Sequence, residues 1–200
     1  MRRRFWNRAQ ESVVRGGYEM LIQAPQAALL VIDIQQRLMP AIFNAEQVLN
    51  NSVWLLQIAQ RLEIPYLVTE QYPQGLGGSV PELAQAVVPQ QVVQKVHFSC
   101  AAEPECLARI QALGRRQLVL TGSEAHVCVL QSALGLLQQG FEVFLVADAV
   151  GSRRESDYQL ALQRMRHAGV QIVSREMVAF EWLHCAGNDR FRAISREFIR

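Results

Sequence analysis

The sequence predicts an α/β domain in three layers, a Rossmann-like sandwich with a six-stranded, mostly parallel sheet between two layers of helices. Three observations predict it. Segments with strand character and segments with helix character alternate along the chain. The first strand segment is a continuous apolar run, as in sheets covered on both faces. The chain has 200 residues, 50% of them hydrophobic and 19% charged, enough for one core without disulfide or metal staples. Residues 1–24 are expected to form an N-terminal tail, partly flexible, and residues 25–200 a single domain.

The first strand is Ala27–Ile32, six apolar residues ending at Asp33. Asn44 and Gln47 have capping-box spacing and open a helix with Val48, Leu49, Leu55, Leu56, Ala59 and Leu62 on one side. Ile64-Pro65 ends it, and residues 66–68 read as the second strand. Residues 71–78 contain Pro73, Gly75, Gly77 and Gly78 and read as a loop. Ser79, Pro81 and Glu82 open a short helix. Residues 91–96 are the third strand. Pro104 suits the first position of a helix whose apolar stripe is Cys106, Leu107, Ile110 and Leu113, closed by Gly114. Residues 117–121 form the fourth strand, and a helix runs from about Cys128 to Gln139. Residues 142–146 are the fifth strand, leading to Asp148. Ser152 and Glu155 box the next helix, with Tyr158, Ala161, Leu162, Met165 and Ala168 inside and Gly169 after it. Residues 170–173 are the sixth strand. Two short helices close the chain, the last with Phe191, Ile194 and Phe198 on one side.

Composition excludes several classes. The formal charge is +2, too small a surplus to argue for nucleic acid. No run reaches the ~18 apolar residues of a membrane span. The basic start, Met1 to Arg4, is followed by no apolar segment, so no secretory signal is expected; a solvated tail is preferred over an Arg-rich transit peptide. Cys100, Cys106, Cys128 and Cys185 include no CxxC pair, which argues against a disulfide framework or a zinc site and for a reducing, cytoplasmic setting.

The chemistry concentrates at strand ends. Of 20 basic residues only one is a lysine, Lys95. In a chain that otherwise uses arginine, a lone lysine is either chance or a place that needs a compact ammonium on a flexible stem. Ligands of open parallel sheets bind beyond the carboxyl ends of the strands. Asp33, Lys95 and Cys128 all fall there, which favours the functional reading. A thiol at a helix N-terminus is expected to have a lowered pKa and to act as a nucleophile; the bland alternative is a buried structural cysteine. Asp33 is placed to take the thiol proton and return it to a leaving group. Asp148 shares the strand-end position but sits in turn-like surroundings.

Val31-Ile32-Asp33-Ile34-Gln35, Lys95, and Gly122-Ser123-Glu124-Ala125-His126-Val127-Cys128-Val129 together resemble the isochorismatase-like cysteine hydrolases, from about Ala27 to the C-terminus. Thr69-Glu70-Gln71-Tyr72-Pro73 is most similar to the isochorismatase-domain-containing subgroup. The resemblance implies a catalytic triad of Asp33, Lys95 and Cys128. It also implies a cis peptide at Ser123-Glu124 and an oxyanion hole from the backbone N–H groups of Glu124 and Cys128. The substrate implied is a small molecule with an amide or related C–N bond, cleaved through a thioester-type acyl-enzyme. A homo-oligomer is implied as well, with no nucleic-acid or membrane partner. Nicotinamidases of the family carry an Asp-x-His metal motif after the second strand; Thr69-Glu70-Gln71-Tyr72 stands there instead, so no metal and no other cofactor is expected. True isochorismatases act on an enol ether, whereas Cys128 points to acyl transfer. Gln35, Gln71, Tyr72, Phe98 and His126 are assigned to the substrate pocket. The rival readings are a catalytically silent binding or scaffold protein, and a nucleotide- or flavin-binding domain, which the lack of a Gly-rich first turn disfavours.

Overall fold

A computed structural model describes residues 21–199; most of the expected N-terminal tail lies outside them. The strands are β1 (Ala27–Ile32), β2 (Tyr66–Gln71), β3 (Val92–Lys95), β4 (Gln117–Ser123), β5 (Glu142–Gly151) and β6 (Gln171–Val173). They form one sheet in the order β3-β2-β1-β4-β5-β6, parallel at every pairing. The helices are α1 (Ala45–Arg61), α2 (Pro73–Leu76), α3 (Pro81–Ala86), α4 (Pro104–Ala112), α5 (Leu130–Gln138), α6 (Glu155–His167), α7 (Arg175–Leu183) and α8 (Asp189–Ile194).

The apolar run of β1 explains the three layers. Successive side chains of a strand point to opposite faces. Leu29 and Val31 pack with Val48, Leu55 and Leu56 of α1, Leu83 of α3 and Val178 and Trp182 of α7. Ala28, Leu30 and Ile32 pack with Ile110 of α4, Ala133 and Leu136 of α5 and Met165 of α6. Each face has its own apolar core, so β1 has no polar side.

Several boundaries differ from the sequence reading. β2 continues to Gln71, because Thr69, Glu70 and Gln71 pair with Val93, Gln94 and Lys95 of β3. Residues 71–78 therefore begin on a strand and include the short helix α2. β5 runs on to Gly151, because Gly122 and Ser123 of β4 pair with Val150 and Gly151 after a bulge. Asp148 thus lies within a strand, and its carboxylate accepts the N–H of Arg175 at 2.8 Å. The three expected capping boxes do not form. Their polar side chains find partners elsewhere: Gln47 on the Asp148 carbonyl, Ser79 on the Glu70 carboxylate and Ser152 on His126. Side-chain caps appear instead at Ser174 of α7 and Asn188 of α8.

Strand order reverses between β1 and β4, the place where open sheets open a crevice above the strand ends. The two strands approach closely at Gly122. Its φ is +117°, and a Cβ there would lie 1.9 Å from the carbonyl oxygen of Ile32. Only glycine fits, and the close approach sets Asp33 beside the segment that carries Cys128. Gly122→Ala should cost more than about 3 kcal/mol, read as a large fall in thermal midpoint or failure to fold.

Candidate active site

Asp33 follows β1 in a left-handed conformation, φ 51°, which aspartate tolerates better than most residues. Its main chain is held on both sides: the N–H donates to the Thr69 carbonyl at 3.2 Å, and the carbonyl accepts the Ser123 hydroxyl at 2.8 Å. Each carboxylate oxygen also has a partner. Oδ1 accepts the Thr69 hydroxyl at 2.6 Å and Oδ2 accepts Lys95 Nζ at 2.7 Å. Both side chains of this ion pair are 0% exposed.

Lys95, the last residue of β3, uses its ammonium three ways. Nζ donates to Asp33 Oδ2 and to Gln71 Oε1, each at 2.7 Å, and to the Phe98 carbonyl at 3.2 Å. An ammonium has three donors and no acceptor, so each has a partner. Burial lowers the Lys95 pKa, but the Asp33 charge and hydrogen bond, with neighbouring thiols, outweigh it and leave it above the ordinary value. The turn after β3 that supplies the Phe98 carbonyl is tied by Glu103, which accepts the N–H groups of Val96 and His97 and the His97 ring. These bonds, the His97 ring first, hold the Glu103 carboxyl down at about 2.

Cys128 sits in a π-helical turn, Ala125–Val129, that leads into α5. The Glu124 carbonyl accepts the N–H groups of Val127 and Val129, on either side of Cys128. Cys128 is 3% exposed. Its pKa is raised rather than lowered, which corrects the sequence expectation: burial is the largest cause, the Asp33 carboxylate adds to it, and Lys95 works against it. The cysteine lies inside a continuous helical segment and in a closed apolar layer, so desolvation outweighs the helix end. The resting group is a thiol with a carboxylate beside it. The Ser123-Glu124 peptide is cis, and the Glu124 carboxylate pairs with Arg153 at 2.6 Å.

The expected pocket residues divide. Tyr72 and Phe98 flank Lys95 through their main chains, and their rings are about half exposed. Gln35 and Gln71 are buried, and their amides are spent on other groups. Gln35 Oε1 accepts the Gln71 N–H at 2.8 Å, while its Nε2 donates to the carbonyls of Gln71 and Gly77 at 3.0 and 2.6 Å. Gln71 Nε2 donates to the Val96 carbonyl at 2.7 Å. These bonds make both side chains internal supports of the strand ends. His126 pairs through Nδ1 with Ser152 at 3.0 Å, which ties the π-helical turn to the end of β5. Sequence reasoning missed Thr69, whose hydroxyl binds Asp33; its position opposite Ile32 in the register becomes legible only once β2 is extended. All four cysteines are free, and only Cys185 is exposed. Among the described residues no three His, Cys, Asp or Glu side chains could hold a metal ion, and no helix is long and apolar enough to cross a membrane.

The isochorismatase domain model matches residues 27–177. The chain belongs to the isochorismatase family. Membership supports a hydrolase function. An isochorismatase domain-containing protein 2 of Danio rerio is 38% identical over 172 residues, 85% of each chain. A Caenorhabditis elegans structure described as MAR1 ribonuclease superposes with a TM-score of 0.82 at 31% identity, over 88% of this chain and 91% of that one. The YcaC gene product of Escherichia coli, described as an octameric hydrolase of unknown specificity, gives 0.84 at 26% identity over 92% and 93%. YcaC from Pseudomonas aeruginosa, with hexane-2,5-diol and covalent acrylamide, gives 0.83 at 27% over 92% and 94%.

The ion pair makes a stability prediction. Breaking a buried pair at one partner costs about 3–5 kcal/mol, while replacing both with matched neutral groups is often tolerated. Lys95→Met should be destabilised by that amount in urea unfolding at pH 8, and Asp33→Asn/Lys95→Met should recover most of it. The lone buried carboxyl in Lys95→Met has a raised pKa in the folded state. The folded protein then binds more protons than the unfolded chain, so the penalty should shrink as pH falls towards about 4.

Proposed function

We propose that this chain is a cysteine-dependent hydrolase that cleaves an amide or related C–N bond of a small molecule through a thioester-type acyl-enzyme. The observation that carries the reading is the fully buried Lys95–Asp33 ion pair acting on the Cys128 thiol. Asp33 takes the thiol proton as sulfur attacks the carbonyl carbon. The S–C bond forms, and the carbonyl electron pair moves onto oxygen, facing the N–H groups of Glu124 and Cys128. When that pair returns, the C–N bond breaks and Asp33 hands the proton to the departing amine. Water then attacks the thioester, Asp33 accepts its proton, the S–C bond breaks, the proton returns to sulfur and the carboxylic acid leaves. Lys95 holds the Asp33 carboxyl in place for each transfer. The raised thiol pKa fits this scheme, because a thiolate is needed only while the nucleophile attacks. An oxyanion donor of this kind is worth about 3–4 kcal/mol.

The covalent acrylamide of the Pseudomonas aeruginosa neighbour supports a reactive nucleophile, since acrylamide is an acceptor for thiols. The octamer described for the Escherichia coli protein supports a homo-oligomer here. Neither a nucleic-acid nor a membrane partner is part of the proposal.

With limiting iodoacetamide at neutral pH, followed by peptide mass spectrometry, Cys128 should label ahead of Cys100, Cys106 and Cys185. Asp33→Ala or Lys95→Ala should slow that labelling by at least about tenfold. An inert Cys128 in folded protein would replace the hydrolase by a binding or scaffold role. RNA degradation that survives Cys128→Ser would instead bring the activity named for the Caenorhabditis elegans neighbour to this chain.

A further inference from the structure

We infer that Gln71 is a positioning residue of the site, the neutral clamp that aims the Lys95 ammonium at Asp33; this rests on the hydrolase reading above. Gln71 is held at four points. Its N–H and carbonyl both bond to the Gln35 side-chain amide, at 2.8 and 3.0 Å. Its own Nε2 donates to the Val96 carbonyl and its Oε1 accepts Lys95 Nζ, both at 2.7 Å. The orientation of the amide follows from the partners. Turned over, its NH2 would face the ammonium and its oxygen would face a carbonyl, two repulsions in place of two bonds. Gln35 is 0% exposed and also donates to Gly77 at 2.6 Å, so the support reaches from the end of β1 through β2 to β3.

The choice of an amide matters chemically. A carboxylate at this position would also accept from Lys95, and it would divide the ammonium charge between two anions. Asp33 would then be less stabilised as the base, and a second negative charge nearby would raise the pH at which it can take a proton from Cys128. A neutral acceptor fixes the ammonium and leaves its charge to Asp33. The titratable groups acting around this carboxylate are Lys95 from β3, Cys128 from the π-helical turn, Cys100 from the turn after β3 and Cys106 from α4. Glu70, between Thr69 and Gln71 on β2, is bound to Ser79 instead.

The test uses the full chain, iodoacetamide and peptide mass spectrometry between about pH 5 and pH 9, where thiol alkylation is measurable. Thermal midpoints are recorded alongside. In the wild type the acid limb of Cys128 labelling reports the first ionisation of the coupled thiol–carboxylate pair. Gln71→Glu should move that limb up by about one pH unit or more. Gln71→Met, which keeps the volume and removes the acceptor, should slow Cys128 labelling by several-fold. Exposed Cys185 should label at the wild-type rate in both. A role confined to packing would lower the midpoint and leave the limb in place. Folded Gln71 variants with the wild-type limb and rate overturn the inference and spare the hydrolase reading. A wild-type Cys128 that labels no faster than Cys185, or that ignores Asp33→Asn, overturns the hydrolase reading and the inference with it. If Gln71→Glu does not fold, the Gln71→Met rate alone decides.

Discussion

Placing Lys95 against Asp33 with neither side chain in water is the constraint on which the site depends. Each ion loses hydration worth several kcal/mol, and their attraction offsets it only if every remaining donor and acceptor is satisfied. The structure meets that condition at each atom. Thr69 serves one carboxylate oxygen and Lys95 the other, while Gln71 and the Phe98 carbonyl take the two remaining ammonium protons. A guanidinium could not replace the ammonium, because its planar fork of five donors does not fit three acceptors arranged around one nitrogen. This gives the single lysine of an arginine-rich chain a physical reason.

The sheet supplies the geometry that the ion pair needs. β1, β2 and β3 lie side by side, so Asp33, Thr69, Gln71 and Lys95 reach the same end of the sheet from three strands. β4 brings the fourth component. Its contact with β1 is close enough at Gly122 to exclude any side chain, and the Ser123 hydroxyl then binds the Asp33 carbonyl. Cys128 follows five residues later in a buried turn. Burial and the Asp33 charge both favour the protonated thiol, so the site holds a thiol beside a carboxylate rather than a free thiolate.

Fold and candidate site residues are legible in the sequence for different reasons. The apolar run of β1 and the alternation of strand and helix reflect burial on both faces, which periodicity records directly. Asp33, Lys95 and Cys128 stood out because each ends or follows a strand. The three capping boxes misled because Gln47, Ser79 and Ser152 answer to tertiary partners, and local spacing cannot register a carbonyl on β5 or a carboxylate on β2. The sequence assigns Gln35 and Gln71 to the substrate pocket, whereas both are buried in the structure. Their burial shows only when the extension of β2 to Gln71 is known. The Cys128 pKa was misjudged for the same reason, since helix position is local and desolvation is not.

The central claim is that Cys128 is an acyl acceptor driven by Asp33. The most direct measurement is a rapid acid quench after mixing with p-nitrophenyl acetate, with the site of acetylation mapped by peptide mass spectrometry. The account predicts one acetyl group on Cys128 that forms early and then hydrolyses, and its absence in folded Asp33→Asn. Acetylation confined to Cys185 and surface groups, with Cys128 unmodified in the native protein, would contradict it.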